Sequence, residues 1–340
     1  MGWFQSSFLV GNLVSDKTPF RALLTHGFVL DPNGIKMSKS QGNVIDPLVV
    51  VNHHGADVLR LWVATTDYTN DVRVGNQTIT AVGEVYKKLR NTLRYLLGAL
   101  DGYETNEGDL SGAGTLDGYV LYRLAEVMET CEKAAREYNF TRYTTALHEF
   151  CVHTLSTLYF DVRKDTLYCD RLDDPKRRAC LYVLSRVFDA IVPLLAPVIS
   201  FTAEEAWRTR YPEAVSVHLE RWPQRLEVSM GHNFVQSAMD EAETIRVMIE
   251  EARKEGTIKG AGEVVLRGQT NKGSFPVMVP LLKELLLVSD IIPETTPLRV
   301  ENAVQAGYVK CDRCRLYYEK LAGEFCERCE DAMEDFRDAG

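Results

Sequence analysis

Lys36 and Lys39 stand three residues apart in the run NGIKMSKSQGNVIDP, residues 33–47, among Gly34, Ser38, Ser40 and Gly42. Two ammonium groups on a small polar loop can close over a polyphosphate. They would stabilise the charge that grows on a leaving pyrophosphate when a carboxylate attacks an α-phosphate. A rigid helix face would not permit closure and release. A lone Lys-x-x-Lys reads as a solvated basic turn, but here Gln-Gly-Asn follows directly and a strand candidate with a tight turn precedes. At the far end, Cys311, Cys314, Cys326 and Cys329 form two Cys-x-x-Cys pairs separated by eleven residues. Each pair can make a knuckle, and two knuckles make a tetrahedral four-thiolate site suited to one structural Zn2+.

The elements that would position these groups follow from pattern. Residues 20–30 are a strand candidate ending in Asp31-Pro-Asn-Gly34, a type I turn. Residues 46–65 read as two short helices, or a helix and a turn. His53, His54 and Asp57 are poor metal ligands, because adjacent histidines do not share a helical face and Gly55 interrupts the pattern. Trp3 and Phe4 read as the continuation of a core segment, which argues against the formal myristoylation match of Met-Gly-Trp-Phe-Gln-Ser.

From residue 78 to about 207 apolar stripes recur at steps of three and four. Val85, Leu89, Leu93, Leu96, Leu97 and Leu100 line one helix, with Lys87, Lys88, Arg90 and Arg94 mainly off the stripe. Residues 119–138, 143–162 and 177–199 repeat the pattern, and Thr202 with Glu205 is a capping box for a fifth helix. This is a helical bundle. Residues 101–118, rich in glycine and acids, read as an exposed loop. Residues 228–302 read as helix, turn, strand, helix and strand. The expected organisation is multidomain α+β, with boundaries at 1–77, 78–227, 228–302 and 303–340.

The net charge of −9 argues against non-specific nucleic-acid binding but leaves room for a local basic face. No signal peptide and no stretch long enough to span a membrane are visible, so eight cysteines suggest a reducing, cytoplasmic compartment. Cys131, Cys151, Cys169 and Cys180 read as core packing. In the tail, acids outnumber bases, yet Arg313, Arg315, Tyr317, Tyr318, Lys320 and Arg328 place bases and aromatics near the thiolates, a mixture suited to unpaired RNA bases.

These motifs together resemble class I aminoacyl-tRNA synthetases, and closely the bacterial isoleucyl-tRNA synthetases. Lys36–Ser40 matches the class's second signature loop. Residues 2–7, 24–31, 40–47, 55–74, 89–98 and 165–170 and the terminal cysteine pairs are also similar, while residues 228–302 match less well. The resemblance implies a Rossmann-type catalytic remnant, an anticodon-binding bundle, a small α/β domain and a zinc tail. It implies ATP bound chiefly by Lys39, with Lys36 assisting, Ser38 and Ser40 shaping the loop, and Mg2+ as counter-ion. His26, Gly27 and Phe28 would border the adenine, and Trp3 and Gln5 the isoleucine pocket. Lys87, Arg94, Arg163, Lys164, Arg177 and Arg178 are candidates for tRNA phosphates.

The first signature, His-Ile-Gly-His, has no counterpart, and the second begins at residue 36. The chain is therefore expected to be the C-terminal portion of such an enzyme, inactive alone, and able to pair with a complementary N-terminal fragment. A non-catalytic tRNA-binding zinc protein, or the same portion of a valine, leucine or methionine enzyme, are the alternatives.

Overall fold

The structure is a computed structural model, described here for residues 2–224, 232–270 and 274–337. The chain opens with α1 (Gly2–Ser15), then β1 (Val29–Leu30), α2 (Pro47–His54), α3 (Ala56–Thr65) and β2 (Val72–Arg73). β1 and β2 pair in parallel, Val29 opposite Val72. The strand expected over 20–30 shrinks to these two residues. Residues 22–27 gain no ladder partner, and their exposed Leu23 and Leu24 have no sheet to cover. The core expected at Trp3 and Phe4 is also absent. No residue of α1 is buried, and Trp3 is 75% exposed. The two helices expected over 46–65 are α2 and α3, the former capped by the Asp46 carboxylate, which accepts from Leu48 N–H at 2.8 Å.

The helical body comprises α4 (Asn76–Ala99), α5 (Thr115–Arg136), α6 (Phe140–Glu149), a π-helix (Phe150–Tyr159), α7 (Phe160–Cys169), α8 (Pro175–Leu195) and α9 (Ser200–Arg210). The expected stripes face inward: Leu89, Leu93 and Leu96 of α4, Leu121, Leu124, Met128 and Cys131 of α5, and nearly all of α8. The single helix expected over 143–162 contains the π-helix instead. There Cys151, Leu155 and Tyr159 point inward at steps of four. Hydroxyls of Ser156 and Thr157 donate five residues back, to Cys151 O and Val152 O.

Two further segments are shaped by tertiary contacts. Residues 101–118 are largely exposed, as expected, but Asp109 and Asp117 are buried, and the short 3-10 turn Glu107–Gly112 packs on α8. The Thr202 capping box does not form. Thr202 lies inside α9 and its hydroxyl donates to Asp57 of α3 at 2.6 Å.

α10 (His232–Lys254), β3 (Val264–Gln269), α11 (Phe275–Leu286), β4 (Asp290–Pro297) and β5 (Arg299–Asn302) follow. β3 is central, parallel to β4 and antiparallel to β5. Their apolar residues, from Val235 to Ile291, join the same core as the bundle. The tail holds β6 (Val309–Lys310), β7 (Tyr317–Tyr318) and α12 (Glu327–Arg337). No described helix is long and apolar enough to cross a membrane.

Candidate nucleotide loop and metal centre

The lysine loop is organised by one buried carboxylate. Asp31 Oδ1 accepts from the backbone N–H groups of Asn33 at 3.0 Å and Ile35 at 2.8 Å, closing the Asp31–Gly34 turn. Its Oδ2 accepts from Asn43 Nδ2 at 2.9 Å. Asn43 in turn accepts from Ser38 N–H at 2.9 Å and donates to Lys36 O at 3.4 Å. The Asn43 bond, then the Ile35 and Asn33 amides, outweigh burial and hold the Asp31 carboxyl below its usual range. Asp31 and Asn43 thus tie both ends of the loop together. Sequence reasoning passed over both, although the Asp-Pro-Asn-Gly turn and the Gln-Gly-Asn run contain them.

Lys39–Gln41 form a 3-10 turn that ends on Gly42, whose φ of +68° favours glycine. Ser38 and Ser40 hydroxyls lie 3.2 Å apart. Lys36 Nζ stands 5.1 Å from the centre of the Phe28 ring. Lys39 makes no ion pair among the described residues. Gly27 donates to Tyr68 O at 2.9 Å, and a Cβ there would meet Asn70 O at 2.2 Å, so only glycine fits. Phe28 N–H donates to Asp71 Oδ1 at 2.7 Å, and His26 Nδ1 lies 2.7 Å from Gly27 O. Of the three, Phe28 meets the lysine loop through Lys36, while the Gly27 and Phe28 amides are tied to residues 68–71. Trp3 and Gln5 are exposed on α1, and no described hydrogen bond or ring contact joins them to it.

The six basic candidates separate. Arg163 is 1% exposed, so the expected phosphate contact is corrected. Its guanidinium forks onto Asp117, with both bonds 3.0 Å, and reaches Glu284 at 2.9 Å. Tyr159 OH also donates to Asp117, at 2.7 Å. Arg178 is likewise forked, onto Asp109 at 2.8 and 3.1 Å. Arg177 donates to the carbonyls of Leu167 and Leu172. Lys87 and Lys164 remain exposed beside Glu84 and Asp161, and Arg94 is exposed on α4.

The four tail sulfurs converge, all lying within 4.8 Å of one another. A zinc bound at about 2.3 Å by four sulfurs requires them roughly 3.8 Å apart. Cys314 and Cys326 Sγ are 3.9 Å apart, so the donor set fits. Burial pushes the Cys311 thiol up, but N–H groups of Cys326, Cys314 and Arg313 outweigh it and bring it down to about 7. Arg313 and Arg328, expected among the bases and aromatics near the thiolates, are half-exposed and bond within the fold. Arg313 donates to Cys169 O and Tyr168 O, and Arg328 pairs with Asp165 and Asp170, stapling the tail to α7. Cys169 packs against the cysteine cluster rather than in the bundle core.

Residues 1–75 match the tRNA synthetases class I (I, L, M and V) family, and residues 117–267 the anticodon-binding domain of tRNA ligase. The isoleucine–tRNA ligase of Zymomonas mobilis is 38% identical over 98% of this chain and 37% of its own length. The chain belongs to the isoleucine–tRNA ligase family. The Caulobacter vibrioides member of that family is 47% identical over 66% of the chain and 24% of its own length. The chain thus spans well under half the length of these relatives. A LeuRS of Agrobacterium radiobacter, solved as a ternary complex with tRNA and LeuAMS, shares the fold at a TM-score of 0.53. It has 19% identity, with 87% of this chain and 35% of that one covered. A class I catalytic remnant followed by an anticodon-binding region is therefore the architecture of this family member, with a four-cysteine cluster in its tail.

Proposed function

We propose that the chain serves ATP-dependent attachment of isoleucine to its tRNA. It contributes the phosphate-closing loop, the RNA-binding helices and a zinc-bearing tail. The observation that carries this reading is the Asp31–Asn43 hub, which leaves the Lys36 and Lys39 side chains to act while holding their backbone. When the isoleucine carboxylate attacks the α-phosphate of ATP, the bond to pyrophosphate breaks and negative charge grows on the leaving group. Lys39, with Lys36 beside it, neutralises that charge, and Mg2+ serves as counter-ion. Ser38 and Ser40 shape the loop, His26, Gly27 and Phe28 border the adenine, and Trp3 and Gln5 approach the amino acid.

Lys87, Arg94 and Lys164 are the expected phosphate contacts that remain exposed. Cys311, Cys314, Cys326 and Cys329 hold one structural Zn2+, which staples the tail. Exposed Phe8, Leu13, Leu23 and Val29, beside a sheet of only two short strands, support a complementary polypeptide covering this part of the chain.

ATP–pyrophosphate exchange tests the reading. The chain alone should show no isoleucine-dependent exchange. Exchange should appear when the N-terminal part of a relative is added, and fall about 10²–10³-fold on Lys39→Ala. Exchange that Lys39→Ala leaves untouched would refute the role of the loop.

A further inference from the structure

The four thiols of the tail are not equivalent. Cys311, Cys326 and Cys329 are buried, and Cys314 is half-exposed. Cys314 also lines a cavity of about 730 Å3 between α7, α11 and the tail, with Tyr318 and Arg328 in the same wall. Val162, Leu287 and Leu316 supply part of the apolar surface there. Small solutes can therefore approach the cluster at the Cys314 sulfur, where burial does not protect it.

Hydrogen bonds supply what burial does not. Cys311 Sγ accepts from the Cys326 N–H at 3.3 Å, and Cys314 Sγ from the Leu316 N–H. Such amides come with the knuckle itself. Cys314 has a further partner. The Tyr318 hydroxyl lies 3.5 Å from its Sγ, and it also reaches Cys326 of the other knuckle. A metal-bound thiolate carries no proton, so in the loaded site only the phenol can donate. Four thiolates around Zn2+ leave a net charge of about −2, and a hydrogen bond onto sulfur takes up part of it.

The strand fixes which tyrosine does this. Tyr317 and Tyr318 form β7, and neighbours on a strand face opposite ways. Val309 of β6 pairs with Tyr318, and Lys310 with Tyr317. Tyr317 packs with Val265, Ala303 and Tyr308, and its hydroxyl donates to Glu263 at 3.4 Å. Tyr318 packs on the cysteines.

We propose that the Tyr318 hydroxyl holds the Cys314 thiolate on the metal and closes the cluster on its cavity side. It thereby sets how tightly and how long the tail keeps its ion. The proposal rests on the reading that the four cysteines hold zinc, and adds a positioning residue that acts through one of them.

The test uses the full 340-residue chain, loaded with Zn2+ and then challenged with a chromogenic chelator. Tyr318→Phe keeps the ring and removes the donor. Zinc affinity should fall about 10–100-fold, and release to the chelator should quicken. With Co2+ in place of zinc, the thiolate-to-metal charge-transfer band should move to longer wavelength. A sulfur that loses a hydrogen bond holds its lone pairs less tightly. The d–d bands should keep the pattern of four thiolates. Tyr317→Phe should change none of these, and circular dichroism should match for all three chains. If the wild-type chain binds neither ion, the zinc reading and this one fall together. If it binds zinc and Tyr318→Phe keeps the affinity, release rate and cobalt spectrum, only the role of the hydroxyl falls. An equal loss for Tyr317→Phe would trace the effect to a loosened tail and overturn the proposal. So would d–d bands of fewer than four thiolates in Tyr318→Phe, which would make the ring, and not its hydroxyl, the part that matters.

Discussion

Asp57 of α3 caps α9 across 145 residues of chain: its Oδ2 accepts from Thr202 N–H at 2.8 Å and from the Thr202 hydroxyl at 2.6 Å. Its Oδ1 accepts from Phe201 N–H at 3.2 Å. Because Thr202 gives its proton to Asp57, Tyr86 OH donates to Thr202, at 2.9 Å. One turn further on α3, Arg60 donates to Pro197 O and Val198 O, beyond the end of α8. An acid thus meets the amide end of one helix and a base the carbonyls that close another, as helix dipoles favour. This joint fixes the lysine-loop segment to the bundle. Asp57→Ala should cost about 2 kcal/mol, the worth of a buried charged cap. Urea unfolding by circular dichroism reads this, and an unchanged midpoint would remove the joint's role.

The buried Arg163 links α5, α7 and α11. Two cations, Arg163 and Lys176, face two carboxylates, Asp117 and Glu284. Removing one member leaves a charge unpaired inside, so Asp117→Ala should cost about 3–5 kcal/mol. Burial pushes the Glu284 carboxyl up, but Arg163 and then Lys176 outweigh it and hold it below its ordinary 4.5. A lowered carboxyl contributes stability that is fully present above the unfolded value. It is lost as pH falls from about 4.5 through the depressed folded value. Glu284→Gln should therefore flatten the acid side of the stability profile, measured by thermal melts between pH 6 and about 3. A profile that keeps its full acid slope would show that Glu284 contributes nothing.

For the cysteine cluster, we expect one equivalent of zinc by elemental analysis, lost on Cys326→Ser. Chelation should release the tail to proteolysis after Lys310 or Lys320, because four thiolates without their ion repel and the small tail has little apolar core. A chain that purifies metal-free with a protected tail would contradict this. Cys131→Ser should leave the metal content unchanged, since that thiol lies in the bundle core.

Features carried by neighbours in sequence were legible before any coordinates. The Lys36–Ser40 loop, the two Cys-x-x-Cys knuckles and the stripes of α4, α5 and α8 depend on spacing of a few residues, and a helix or knuckle converts such spacing directly into a shared face. The amino-acid sequence alone therefore determined the family, the spacing of the lysine loop and the four-cysteine cluster. Only the tertiary structure decided where each charge spends itself. Nothing near Arg163 in sequence marks Asp117 and Glu284 as its partners, and nothing near Thr202 marks Asp57. An arginine turned inward and one left bare on α4 look alike in one dimension. A charge is buried or exposed according to the partners that folding brings from far along the chain, and removing it from water is costly unless such partners arrive. The same holds for Phe20–Leu30, where β propensity produced only a two-residue strand because a ladder needs a second strand beside it.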